Sequence, residues 1–95
     1  MKVEQYYANN QLHIYDENKH YLQSYESLVV KIEGAYKNAN ITLGKDWDYS
    51  RTTLKYVYSF IEDYSYISFY GIKDKRKYVN KLINDGIIKY DEEMK

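Results

Sequence analysis

The stretch Asp46-Trp47-Asp48-Tyr49-Ser50-Arg51-Thr52-Thr53-Leu54-Lys55-Tyr56-Val57-Tyr58-Ser59-Phe60-Ile61 constrains this chain most, because it fixes where a helix begins and which face it buries. Ser50 suits an N-cap, its hydroxyl placed to accept from the free amides of Thr52 or Thr53. Asp46 and Asp48 lie just upstream, where the positive end of the helix dipole favours negative charge. Leu54, Val57, Tyr58, Ile61 and Tyr64 or Ser65 recur at helical spacing, with Lys55, Ser59, Glu62 and Asp63 opposite. The pattern predicts a helix over 51–64, with Trp47 packed over its first turn.

Ahead of this helix the periodicity changes to two. Gln11–Tyr15 alternates, with Leu12 and Ile14 on one side and His13 and Tyr15 on the other. Asp16–Lys19 reads as a polar turn and His20–Tyr25 as the returning strand of a hairpin. Leu28–Glu33 is the strongest strand, its core face expected to be Leu28, Val30 and Ile32. A turn over 34–40 leads to Ile41–Leu43, whereas residues 1–10 carry little pattern. After the helix, 65–70 is ambiguous between strand, loop and helix. Asp74 caps a second helix with Tyr78, Val79, Leu82 and Ile83 as its apolar stripe, and Gly86 stops it. Ile87–Tyr90 reads as a short strand or packed tail, and 91–95 as a frayed end. The expected fold is α+β: a small antiparallel sheet of three to four strands, covered on one face by two helices. It forms one domain, with a meander over 1–45, the central helix over 46–65 and the second helical unit over 66–95.

Charge and composition bound the function. Fourteen Lys and Arg balance fourteen Asp and Glu, so no net charge draws the chain to nucleic acid or membrane, and mimicry of DNA by acidic charge is excluded. There is no cysteine, hence no disulfide or thiolate chemistry. No apolar run approaches a membrane span and the N-terminus lacks a signal-peptide core, so the expected location is the cytoplasm. The fourteen tyrosines are far above ordinary usage. Lys, Asn, Ile and Tyr are abundant while Pro is absent, so an AT-rich genome is one reading of most of that excess, and an adhesive binding surface is the other.

No catalytic motif emerges. His13 and His20 can face each other in a hairpin, but a metal site needs three or four ligands and no third is marked, so both read as solvent-facing strand residues. Asp46 and Asp48 can be drawn as an acid/base pair, yet dipole and capping roles explain them. The glycines are isolated, so no phosphate-cradling loop exists. The chain is therefore expected to be no enzyme and to need neither metal nor cofactor. Two binding readings compete. In one, exposed Tyr15, Tyr21, Tyr66 and Tyr70 bind a protein, as rigid amphipathic rings do well. In the other, Lys73, Lys75, Arg76, Lys77 and Lys81 bind nucleic acid, with Tyr70 and Tyr78 to stack on bases. Overall neutrality favours the first.

The run Ser24-Tyr25-Glu26-Ser27-Leu28-Val29-Val30, followed by Trp47-Asp48-Tyr49-Ser50-Arg51-Thr52-Thr53-Leu54-Lys55 and Phe60, resembles a group of short proteins carried by phages and plasmids of low-GC Gram-positive bacteria. That group shares a strand beginning Ser-Tyr-x-x-Leu-Val and a Tyr-Ser-x-Thr-Thr-x-Lys helix start. The resemblance covers the middle half of the chain and carries over no catalytic or binding residue. What it implies is context: a mobile-element accessory protein inside a bacterial host, binding one host protein. Inhibition of a CRISPR-Cas nuclease is one known role of that kind.

Overall fold

The computed structural model describes residues 1–34 and 36–94. Its strands are β1 (Lys2–Tyr6), β2 (Ala8–Tyr15), β3 (Lys19–Ser24), β4 (Ser27–Glu33), β5 (Asn40–Gly44) and β6 (Ile88–Asp91). Helices α1 (Arg51–Tyr64) and α2 (Lys75–Asn84) lie between β5 and β6. The six strands form one sheet in sequence order, antiparallel from β1 to β5 and parallel between β5 and β6. The fold is thus α+β as expected, but its sheet is mixed and larger than three to four strands. A parallel neighbour needs a long crossover, and the two helices supply it.

Both helix starts follow the sequence signals. Ser50 Oγ accepts from the Thr53 amide at 3.1 Å, and Asp74 Oδ1 accepts from that of Lys77 at 3.0 Å. At the far end of α2, Gly86 takes φ +78°, and the amides of Gly86 and Ile87 donate back to Ile83 and Leu82. This αL closure is what glycine allows without a Cβ penalty. Between the helices, 65–70 is neither helix nor paired strand. Within it Ile67 and Phe69 are buried and Tyr66, Ser68 and Tyr70 exposed. The expected turn over 34–40 and frayed end over 91–95 fall partly outside the described residues, at Ala35 and Lys95; Tyr36–Asn38 form a 3-10 turn.

One core holds Leu22, Val30, Ile32, Ile41, Leu43 and Ile88 from the sheet, with Trp47 and with Val57, Phe60, Ile61, Val79 and Leu82 from the helices. Leu54, Tyr78 and Ile83 pack against it half-buried. The side of the sheet facing α1 differs from the expectation in three places. In β2 it carries Gln11 and His13, both buried, while Leu12 and Ile14 turn outward and stay half-buried. The histidines are therefore not solvent-facing: His13 is 3% exposed, and its Nε2 lies 2.8 Å from Nδ1 of His20. Alternation gives the period of a strand and not its sign; the ladder sets the sign here, because His13 pairs with Leu22 of β3, which lies in the core. Leu28 also leaves the expected core face. The β3/β4 register passes from Leu22↔Val30 to Gln23↔Leu28, so Val29 is the extra residue of a β-bulge and Leu28 falls on the outer side with Gln23.

β1 escaped prediction because an exposed edge strand has no buried face to pattern: four of its five residues are exposed. β5 ends on Gly44, where an added Cβ would lie 2.3 Å from the Leu28 carbonyl oxygen, so only glycine fits against β4. Among the described residues no helix is long and apolar enough to cross a membrane.

Truncation separates the two faces. Val57→Ala or Ile61→Ala should cost about 2–4 kcal/mol, as buried core deletions do. Leu28→Ala should cost about 1 kcal/mol or less, because it leaves water-exposed surface and no closed cavity. Urea denaturation of the three variants measures this; equal losses at Leu28 and Val57 would return Leu28 to the core.

Candidate functional site

The loop that enters α1 and the turn between β3 and β4 meet at one end of the sheet and enclose a cleft of about 700 Å³. Asn10 closes one side. Ser24, Tyr25, Glu26 and Ser27 come from the hairpin, and Asp46, Tyr49, Ser50, Thr52 and Thr53 from the helix start. Both stretches singled out in the sequence thus converge on a single concavity, of a volume usual for binding sites.

Hydroxyls tie the two walls together. Ser50 Oγ donates to Thr53 Oγ1 at 3.2 Å, and Thr53 Oγ1 lies 3.0 Å from Ser24 Oγ, in a buried contact between helix and sheet. On the other side Ser27 Oγ donates to Asp46 Oδ2 at 2.8 Å. Behind Ser24, its ladder partner Gln11 is buried, with Oε1 lacking a hydrogen-bond partner among the described residues. Such an orphaned acceptor costs stability.

The rim is aromatic and acidic. Tyr49 is 78% exposed and Tyr25 50%. Tyr25 takes φ +57° as the first residue of the two-residue β3–β4 turn, a conformation strained for any bulky side chain. Its amide donates to the Asn10 carbonyl at 2.7 Å, which locks the turn against β2. Glu26 is exposed and Asp46 half-buried, and among the described residues no lysine or arginine lines the cleft. Among those residues, too, no three His, Asp or Glu converge as metal ligands.

The family profile of DUF8033 matches residues 1–80, which contain every residue lining the cleft. The chain belongs to that family. Its function is unknown. No curated protein and no solved structure matches the chain. The matched span takes in β1 to β5, α1 and most of α2, and leaves β6 outside.

The four tyrosines chosen from the sequence are dispersed. Tyr15 stacks on His13 on the α1 side of the sheet, at 4.5 Å between ring centres. Tyr21 lines a shallow outer groove with Met1, Ile14, Leu28, Lys31 and Met94. Tyr66 and Tyr70 are exposed on the link between the helices. Tyr25 and Tyr49, the two that share the cleft, were missed, although the motif stretches contain both. The basic residues lie together along α2 and just before it, all exposed. Arg76 pairs with Asp48 at 2.7 Å, Lys81 with Asp85 at 3.4 Å, and Lys75 sits 5.8 Å over the Tyr58 ring. Asp46 and Asp48 are thus held by different partners, Ser27 and Arg76, rather than by each other.

Thr53→Val tests the hydroxyl chain. It should cost about 1–3 kcal/mol, because Ser24 and Ser50 both lose a partner in a buried place. Adding Ser24→Ala should recover part of that loss in a double-mutant cycle. Strictly additive losses would mean that the 3.0 Å contact couples nothing.

Proposed function

We propose that the protein is a non-enzymatic binding module that holds a partner protein in this cleft, as an accessory product of a phage or other mobile element in the cytoplasm of a bacterial host. The convergence of two separate stretches on one concavity carries the reading: Ser27 and Asp46, which bond across it, are 19 positions apart. Two exposed tyrosine rings at its mouth, Tyr25 and Tyr49, add rigid amphipathic contact area.

The chemistry of the lining selects the occupant. Two carboxylates, five hydroxyl side chains from Ser and Thr, and two open ring faces, with no cationic side chain described in the lining, complement a lysine or arginine on a protruding loop of the partner. A guanidinium stacks on tyrosine while its N–H groups reach carboxylates and hydroxyls. The same carboxylates repel phosphate, and Asp48 and Asp85 offset part of the basic run on α2, which supports protein over nucleic acid as the partner. A Cas nuclease is the host protein to test first.

A pull-down from host lysate, with and without nuclease and at two salt concentrations, tests this. The expected result is a protein retained through nuclease treatment, whose capture falls at least tenfold, about 1.4 kcal/mol, in Tyr49→Ala and in Glu26→Lys. Retention unaffected by both substitutions would move binding away from the cleft. Recovery of nucleic acid alone, lost at high salt and in the Lys75→Ala/Arg76→Ala/Lys77→Ala variant, would replace this reading with the second.

A further inference from the structure

On the helix-covered side of the sheet, apart from the cleft, Glu4 of β1, His13 of β2 and His20 of β3 form a hydrogen-bonded row. Nδ1 of His13 lies 3.1 Å from Oε1 of Glu4, and Nε2 of His13 lies 2.8 Å from Nδ1 of His20. Aromatic rings wall the row. Tyr15 stacks on His13, Tyr64 stacks on His20 at 4.4 Å, and Phe60 meets His13 edge-on at 5.3 Å. His13 is buried and His20 only half-buried, so the row has an inner and an outer ring.

The partners fix the protons. An ionised carboxylate only accepts, so Nδ1 of His13 donates to Glu4 at 3.1 Å, and the Tyr64 hydroxyl, 3.4 Å from the same nitrogen, is a second and weaker acceptor. In neutral His13, Nε2 is then a lone pair, and Nδ1 of His20 must donate to it. That leaves Nε2 of His20 as the unprotonated nitrogen. The bridging contact admits one proton and no more, since protonating both rings would set two N–H groups against each other at 2.8 Å.

We propose that Glu4, His13 and His20 form a proton relay that takes up a single proton through His20 and holds the charge on buried His13. The proton binds Nε2 of His20, and the bridging proton passes from Nδ1 of His20 to Nε2 of His13. Neither hydrogen bond is lost. The new imidazolium faces the Glu4 carboxylate and the ring of Tyr15, both of which favour it. His20 ends neutral, having exchanged one tautomer for the other, and the Glu4–His13 bond becomes an ion pair that fastens the edge strand β1.

The groups facing the row support this assignment. They are Glu4 and Lys2 of β1, Tyr6 and Tyr7 beside it, Tyr15 of β2, Asp16 of the following turn, and Asp63 and Tyr64 of α1. Tyr6 donates to Asp63 at 2.6 Å, and burial together with that bond raises its pKa; burial raises that of Tyr64 as well, so both rings stay neutral. Burial, and then charge on His13, lower the pKa of His20 below the usual histidine value, against a smaller opposing pull from Asp16. A depressed histidine is a group on which the unfolded chain binds more protons than the folded one. Stability is therefore lost as pH falls below the ordinary histidine value of about 6.5 and towards the lowered one.

Nitrogen-15 NMR of the histidine rings against pH tests the relay. At pH 7.5 both rings should be Nδ1–H tautomers. On acidification both should change with one common midpoint, His13 becoming imidazolium while His20 turns into a neutral Nε2–H ring. Glu4→Gln, at an exposed edge position, should lower that midpoint, as loss of an adjacent opposite charge does. In His20→Phe the loss of stability between pH 6.5 and 5 should flatten. An Nε2–H ring at His13 at neutral pH, separate midpoints for the two rings, or a His20 imidazolium formed in the same step would each overturn the proposal. So would a midpoint unmoved by Glu4→Gln.

Discussion

Everything in this molecule depends on which side of the sheet α1 covers. The helix brings Val57, Phe60 and Ile61 to the strands, and Leu22, Val30 and Ile32 answer from β3 and β4. Once that contact is made, every other strand has its side assigned through the ladder, since a residue and its cross-strand partner share a face. In β2 the assignment puts Gln11 and His13 inside, and the fold meets their polarity with local partners rather than by turning the strand over. Glu4, His20 and Tyr64 surround His13, and the hydroxyls of Ser24 and Thr53 carry the contact past Gln11. The apolar contact is undirected and sets the side. The polar contacts are directional and set the register.

Much of this was legible in the chain. Ser50, Asp74 and Gly86 carry their own local physics, and the helix limits they imply agree with the structure. The strands from β2 to β5 could be read from alternation, but alternation says nothing of orientation, and the inner placement of His13 rests on Glu4 and His20, which only the ladder brings near. Leu28 was misread because a bulge of one residue inverts every position before it. β1 gave no signal because it is an exposed edge, and β6 gave a weak one because four residues are too few to show a period.

The cleft was legible in pieces. Ser24 to Ser27 and Asp46 to Thr53 stood out as separate stretches, and nothing in their spacing said that they touch. Exposure of a tyrosine cannot be read one residue at a time, because the sheet sends Tyr15 and Tyr21 to opposite sides. The exposure of Tyr25 carries no sequence signal, because the strained turn that holds it cannot be read from a tyrosine, a residue that rarely adopts φ above zero.

The parallel pairing of β6 with β5 has a consequence for synthesis. Strands β1 to β5 are joined by short hairpins and turns, so their contacts are local and can form as each strand leaves the ribosome. β6 cannot join until α1 and α2 have been made and have crossed the sheet. Through that interval the outer edge of β5 stays unpaired, and Ile41 and Leu43 lack their neighbours Ile88 and Tyr90. A nascent chain in this state offers a sticky edge to other chains, so the arrival of β6 decides between closing the domain and recruiting a second copy.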